Sequence, residues 1–292
     1  MNTDKINTLT KRMRNPFLIL TFSFLILTAC VRVDIYDTDH PEHGTITLTT
    51  DWSEIGQNIV APQTYTVQVN DYSAIVTGTT NTIDNFFLPG TYLTHIYNAA
   101  NKISVSETTA TVAVNNNIAD PMPAWFFTST LNVTIEQDKD HRFTAVMQQQ
   151  VRELNFVLEI IDDTSDRVEN ITAALNGVAS SLDFANNTHG NAVNVIPVFT
   201  KQANGKWLAT VRLLGITSSE QKLSITIVFA DNSPAPITEI VNIHTQLDDF
   251  NADKRTPLTL GAQVKVIETP NGIDFNAIVT DWTEITEQIN VN

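Results

Sequence analysis

From Thr45 onward the chain keeps a period of two. Ile46 and Leu48 alternate with Thr45, Thr47 and Thr49; Tyr65, Val67 and Val69 alternate with Thr66, Gln68 and Asn70; Leu131, Val133 and Ile135 alternate with Asn132, Thr134 and Glu136. Successive side chains of an extended strand point to opposite faces, so each run lays one apolar face on a core and leaves the other wet. Leu154, Phe156, Leu158 and Ile160 repeat the pattern, as do Leu223, Ile225, Ile227 and Phe229. Thr, Val, Ile and aromatic residues fill these runs, and Asn, Asp, Gly and Pro break them at short intervals. The strongest hairpin signal is VFTKQ, a turn at Asn204 and Gly205, then KWLATVRLL, because Asn-Gly accepts the positive φ that a tight hairpin turn requires. Only Leu247 to Lys254, LDDFNADK, reads as a helical turn or two. The chain is expected to be all-β and built from antiparallel strands.

With 292 residues and 42% hydrophobic content there is ample material for a packed core. Strands spaced about 8 to 12 residues apart over roughly 240 residues exceed one ordinary sandwich and suit two. Between Gln148 and Arg152 the alternation set by Phe143, Ala145 and Met147 gives way to the one that starts at Leu154. The expected domains are therefore a β-sandwich over 45–150 and a second over 151–292, joined by a short linker and packed together.

The first thirty residues bear on location. Lys5, Lys11, Arg12 and Arg14 precede Pro16 to Thr28, an uncharged apolar run of 13 residues, well short of the roughly 20 that span a bilayer and therefore read as a signal peptide. It ends in Leu27-Thr28-Ala29-Cys30, a lipobox, in which the Cys30 thiol accepts diacylglycerol. Residues 1–29 are then a lipoprotein signal peptide, and 30–44 (CVRVDIYDTDHPEHG) a lipidated tether without periodic apolar pattern. One acyl chain holds a protein only marginally, whereas two or three, palmitate among them, anchor it firmly. Cys30 is the one cysteine, so no disulfide is expected. Cleavage removes four of the 17 basic and one of the 32 acidic residues, leaving 13 and 31 and a mature net charge of −18. Such a body is repelled by anionic headgroups and stands off the membrane on its tether.

The charge also argues against nucleic acid, since phosphate binding draws on clustered Lys and Arg and no basic stripe exists. There is no G-x-S-x-G, P-loop, G-x-G-x-x-G, H-E-x-x-H or paired C-x-x-C, and no enzymatic activity, cofactor or metal is expected. Asp37, Asp39, His40, Glu42 and His43 offer metal-type ligands within seven residues, but beside a lipid anchor they read as solvated spacer. Asp120 to Phe127, DPMPAWFF, either stacks on a sugar or turns at its prolines and buries Trp125 and Phe127. The hexapeptide TDWSEI, Thr50 to Ile55, returns as TDWTEI, Thr280 to Ile285. Either it is a pair of aromatic platforms for a ligand, or it marks where the first and last strands leave their sheets and a Trp folds over the open end of the core; the two offsets do not match a tandem duplication.

A lipobox, an acidic tether, Thr-rich sandwiches, the segment MQQQVREL opening the second half, ALNGVASSLDF after its second strand and a closing VTDWTEI together resemble the fimbrillin superfamily, and within it the fimbrillin-A-associated anchor lipoproteins. The resemblance covers essentially the whole chain. It implies two transthyretin-like Greek-key sandwiches in tandem and a place at the base of a surface fimbria, with outer membrane and fimbrial subunits as partners and a host protein or glycan as a further one.

Polymerising subunits of that superfamily are cleaved after an Arg between the lipid and the second strand, which frees the first strand and opens a groove for a neighbour's donor strand. Here Arg32 lies two residues after Cys30, and no Arg or Lys occurs from Val33 to Asn101. The first strand is therefore expected to stay in its sheet and the lipid to stay attached, as an anchor or assembly-limiting subunit binding its partner by β-strand addition requires. The run from Phe275 to Asn292 is one candidate for the presented strand. A polymerising or tip subunit and a glycan-binding surface lipoprotein are the alternatives.

Overall fold

The computed structural model describes residues 42–161, 165–217, 219–230, 235–268, 275–280 and 282–285. Strands dominate them, as the alternation requires. The first half contains β1 (Thr45–Asp51), β2 (Thr64–Val69), β3 (Tyr72–Thr77), β4 (Thr80–Thr82), β5 (Gly90–Tyr97), β6 (Ile103–Ser106), β7 (Thr109–Val112), β8 (Val114–Asn115), β9 (Ile118–Ala119), β10 (Phe127–Ile135), β11 (Asp140–Val146) and β12 (Gln148–Gln149). The second contains β13 (Arg152–Ile160), β14 (Val168–Asp183), β15 (Thr188–Val195), β16 (Thr200–Lys201), β17 (Trp207–Leu213), β18 (Lys222–Phe229), β19 (Ile237–Asn242), helix α1 (His244–Leu247), β20 (Leu258–Glu268), β21 (Phe275–Val279) and β22 (Thr283–Glu284).

Four sheets enclose two cores. Sheets β11-β1-β4 and β12-β10-β5-β2-β3 close on Ile46, Leu48, Tyr65, Val67, Phe127 and Met147, among others. A six-stranded sheet, β16-β17-β13-β20-β21 with β22 on β20, and an eight-stranded sheet running β19-β18-β14-β15-β9-β8 close on a larger core that includes Phe156, Leu158, Phe229, Leu260 and Trp282. Each fully buried Leu, Ile or Phe contributes about 1.5–3 kcal/mol, so two separate sandwiches are each well supplied.

Local expectations are met where chemistry is local. The Asn204-Gly205 turn has Gly205 at φ 83°, Gln202 N–H donating to Lys206 C=O at 2.8 Å, and Thr200 opposite Leu208. β14 runs 16 residues and is bulged between Leu175 and Val178. Gly177 holds the bulge at φ +71°, where an added Cβ would lie 2.9 Å from Gln221 Nε2. Helical geometry begins earlier than LDDFNADK, at His244, and continues as turns from Phe250 N–H to Leu247 C=O and from Ala252 N–H to Asp249 C=O.

Two features depart from the sequence reading. The pairs β1–β11 and β13–β20 are parallel, whereas antiparallel strands were expected; alternation is the same in both directions, and only the route of the intervening chain sets the sense. Secondly, the segment 103–119, inside the span 45–150, packs with the second core. β7 pairs with β14 through Ser181 and Thr111, β9 pairs with β15 through Asn194 and Ile118, and Ala110, Val112 and Ala119 join the larger cluster. A short amphipathic hairpin carries no mark of which sandwich it will extend.

Candidate functional site

Leu27, Thr28, Ala29 and Cys30 lie outside the described residues, as do Asp37, Asp39 and His40 and the tail after Ile285. Of the histidine-rich tether only Glu42 to Gly44 is described. Among the described residues no group of three or more His, Cys, Asp and Glu could hold a metal ion, and no helix is long and apolar enough to cross a membrane.

The chain enters its first sheet at Gly44, which exchanges two backbone hydrogen bonds with Phe87, at 2.8 and 3.0 Å. A side chain there would meet Ile135 Cγ2 at 2.5 Å, so only glycine permits this approach. β1 then lies between two neighbours, matched to β11 from Thr45–Asp140 to Asp51–Val146 and to β4 from Thr47–Thr82 to Thr49–Thr80. Threonine hydroxyls bridge β1 and β4 at 3.1 and 3.0 Å, while Ile46 and Leu48 are buried beneath. Removing this strand would expose two hydrogen-bonding edges and open the core.

The repeated hexapeptide serves packing in both places. Trp52 sits edge-on to Phe127 at 5.5 Å between centroids, and Trp282 edge-on to Phe156 at 5.4 Å. Such contacts are worth about 0.5–1.5 kcal/mol beyond area burial. The copies differ in depth: Trp282 is 1% exposed, whereas Trp52 is half-buried and donates its indole N–H to Thr50 Oγ1 at 3.0 Å. Asp51 accepts the Ser53 N–H at 2.9 Å as the chain turns away. The second copy does not end its sheet, because its own Thr283 and Glu284 form β22, which pairs with β20. Trp207 and Phe127 are buried, and Trp125 is half-buried under the Arg212 guanidinium, 4.3 Å from its ring centre. The DPMPAWFF segment thus meets its second reading in part, with Phe127 buried and Trp125 half-buried beneath a guanidinium.

The least anticipated constellation lies where the sandwiches meet. Phe184, at the end of β14, packs against His95 at 5.8 Å, Tyr97 at 5.9 Å and Phe126 at 6.2 Å. Below it, Gln149 ties three loops: its Oε1 accepts Gly56 N–H at 2.9 Å, and its Nε2 donates to the carbonyls of Val151 and Lys254 at 2.8 and 2.5 Å. Arg152 Nε donates to Thr256 C=O at 2.8 Å, and its Nη1 donates to Phe250 C=O at 2.9 Å. Lys254 is buried and donates to Gln150 Oε1 at 2.8 Å, and among the described residues no carboxylate lies within ion-pair distance of it.

Desolvation lowers the Lys254 pKa from 10.5 to about 8. Desolvation, then the Lys254 charge, lower that of His189 to about 4, against a weaker opposing bond to Leu214 C=O. Between pH 8 and 10.5 the unfolded chain therefore binds more protons at Lys254 than the folded one, and stability rises with pH across that window. Lys254→Met is expected to stabilise the protein at pH 7 by about 1–2 kcal/mol, since a shift of this size costs about 3 kcal/mol and the bond to Gln150 offsets part of it. Urea unfolding at a series of pH values should show the gap between variant and wild type closing as pH rises from 8 to 10.5; a constant gap would contradict the assignment.

Sequence reading thus placed the first strand and the tryptophans, while Lys254, Gln149, Gln150 and Arg152 escaped it. MQQQVREL and NADKR were visible as segments, but nothing local brings Gln150 to a residue 104 positions away.

Relatives share this architecture. The model of the fimbrillin-A associated anchor proteins Mfa1 and Mfa2 matches residues 30–288. The fimbrial anchor protein Mfa2 of Porphyromonas gingivalis superposes with a TM-score of 0.54 at 10% identity, covering 82% of this chain and 96% of that one. A candidate adhesin of Bacteroides ovatus gives 0.56 at 13% identity over 83% and 95%, and one of Bacteroides thetaiotaomicron gives 0.54 at 14% over 83% and 97%. No curated protein sequence matches significantly. At these identities the superpositions speak for the fold, and the family match over nearly the whole chain speaks for descent: the protein belongs to the fimbrillin-A associated anchor proteins.

Proposed function

We propose that this protein is an outer-membrane lipoprotein that holds a fimbria at its base and limits its assembly, bound to a fimbrial subunit by β-strand addition. Residues 1–29 are the signal peptide, Cys30 carries the lipid, 30–44 form the tether, and two sandwiches form the body, the second taking the 103–119 strands in addition to residues from 151 onward. The observation that carries this reading is the seating of β1, paired on both sides by β11 and β4, in a chain with no Arg or Lys between Arg32 and Lys102. A basic-site protease has nowhere to cut that would release the strand. The groove stays filled by the protein's own chain, and with the Arg32 bond intact the strand stays joined to the lipid.

Cys30→Ser is expected to move the protein from the membrane fraction to the soluble fraction and to shed fimbriae into the medium. Intact-mass measurement of the wild-type membrane form should give an acylated chain starting at Cys30. An unacylated product starting beyond the tether, or shortened protein within purified filaments, would instead make it a polymerising subunit.

A further inference from the structure

Two hollows meet at the junction between the sandwiches and share Gln148 and Phe184. The first, about 300 Å³, is bounded by Thr128 to Leu131 of β10 and by Thr144 and Val146 of β11. β10 is paired with β5 from Thr128 to Ile135, but on its other side β12 covers only Phe127 and Thr128. Ser129 to Leu131 thus border the hollow with an edge that no strand pairs among the described residues. A row of alternating donors and acceptors is matched by another extended backbone.

The second hollow, about 380 Å³, is lined by Glu54, Gln148, Asp253, Lys254 and Arg255, among others. An ammonium has three donors, and Lys254 spends one on Gln150. Arg255 holds both Glu54 and Asp253, which leaves Lys254 as the charge in this lining without a carboxylate beside it. Junctions between domains are favoured places for ligand clefts, and Phe184, packed on His95, Tyr97 and Phe126, borders this one.

We propose that these adjoining hollows bind an extended polypeptide segment bearing an acidic side chain, with its backbone along Ser129 to Leu131 and its carboxylate on Lys254. A sugar acid would satisfy the lysine but leave the strand edge unmatched. It would also lack an aromatic platform, because Phe184 is 8% exposed with rings packed around it. The inference does not depend on acylation or on the anchoring role.

The test uses the full-length protein in detergent with the capped peptide Thr-Val-Glu-Val-Thr, its Gln counterpart and D-glucuronate as probes. The Glu peptide should raise the Lys254 ionisation midpoint by about one pH unit in lysine side-chain NMR, slow amide exchange at Ser129 to Leu131, and bind at least tenfold tighter than the Gln peptide. Lys254→Met should abolish that preference. Gln150→Glu, which supplies an internal carboxylate beside Lys254, should suppress binding as well, with its fold checked by circular dichroism. Glucuronate acting as well as the Glu peptide, equal binding of the two peptides, or a preference surviving in Lys254→Met would overturn the proposal.

Discussion

Trp282→Ala is expected to destabilise the protein by about 3–5 kcal/mol, the range for truncating a large buried aromatic side chain. The indole is 1% exposed, lies edge-on to Phe156, and sits where Gln246 Nε2 donates to the Trp282 carbonyl at 3.0 Å. Its removal leaves a void in the larger core that the flanking strands cannot close without giving up their register. Trp52→Ala should cost only about 1–2 kcal/mol, because that indole is half-buried and contributes chiefly its edge contact with Phe127 and one hydrogen bond. Urea midpoints of the two variants measure the difference. Equal losses would show that near-identical hexapeptides do equal work, against the depths at which they lie.

Gln149→Ala should be almost as damaging, at about 2–5 kcal/mol, for a different reason. The side chain is 5% exposed and satisfies one backbone N–H and two carbonyls from Gly56, Val151 and Lys254. An orphaned buried polar group costs about 1–3 kcal/mol. Water enters less readily where Gly56 packs so tightly that an added Cβ would meet Arg255 C=O at 2.6 Å. Its neighbour Gln148 is exposed, and Gln148→Ala should stay within about 0.5 kcal/mol of wild type. If both alanine variants unfold at the same urea concentration, the junction is not held by this amide.

Adjacent glutamines with such different expectations show where a sequence stops being legible. Gln148, Gln149 and Gln150 look alike in the chain; one faces solvent, one ties three loops, and one receives the ammonium of Lys254. Fimbrial anchoring as a family trait was readable from the lipobox, the strand patterning and the closing VTDWTEI, and the family match over residues 30–288 bears it out. The junction was not readable, since the bonds from Gln149 to Gly56, Arg152 to Phe250 and Lys254 to Gln150 span 93, 98 and 104 positions.

What the residues determined by themselves was local: the two-residue period that makes Thr45–Asp51 a strand, the Asn204-Gly205 turn, and the Asp and Trp that close a strand end. These depend on neighbours a few positions apart, whose geometry the backbone fixes. Tertiary structure alone decided that β1 runs parallel to β11, that the hairpin of β6 and β7 extends the second sandwich, and that a lysine is buried without a counter-charge among the described residues. Strand edges and desolvation have no sequence period; they are settled by which surfaces meet when the whole chain excludes water.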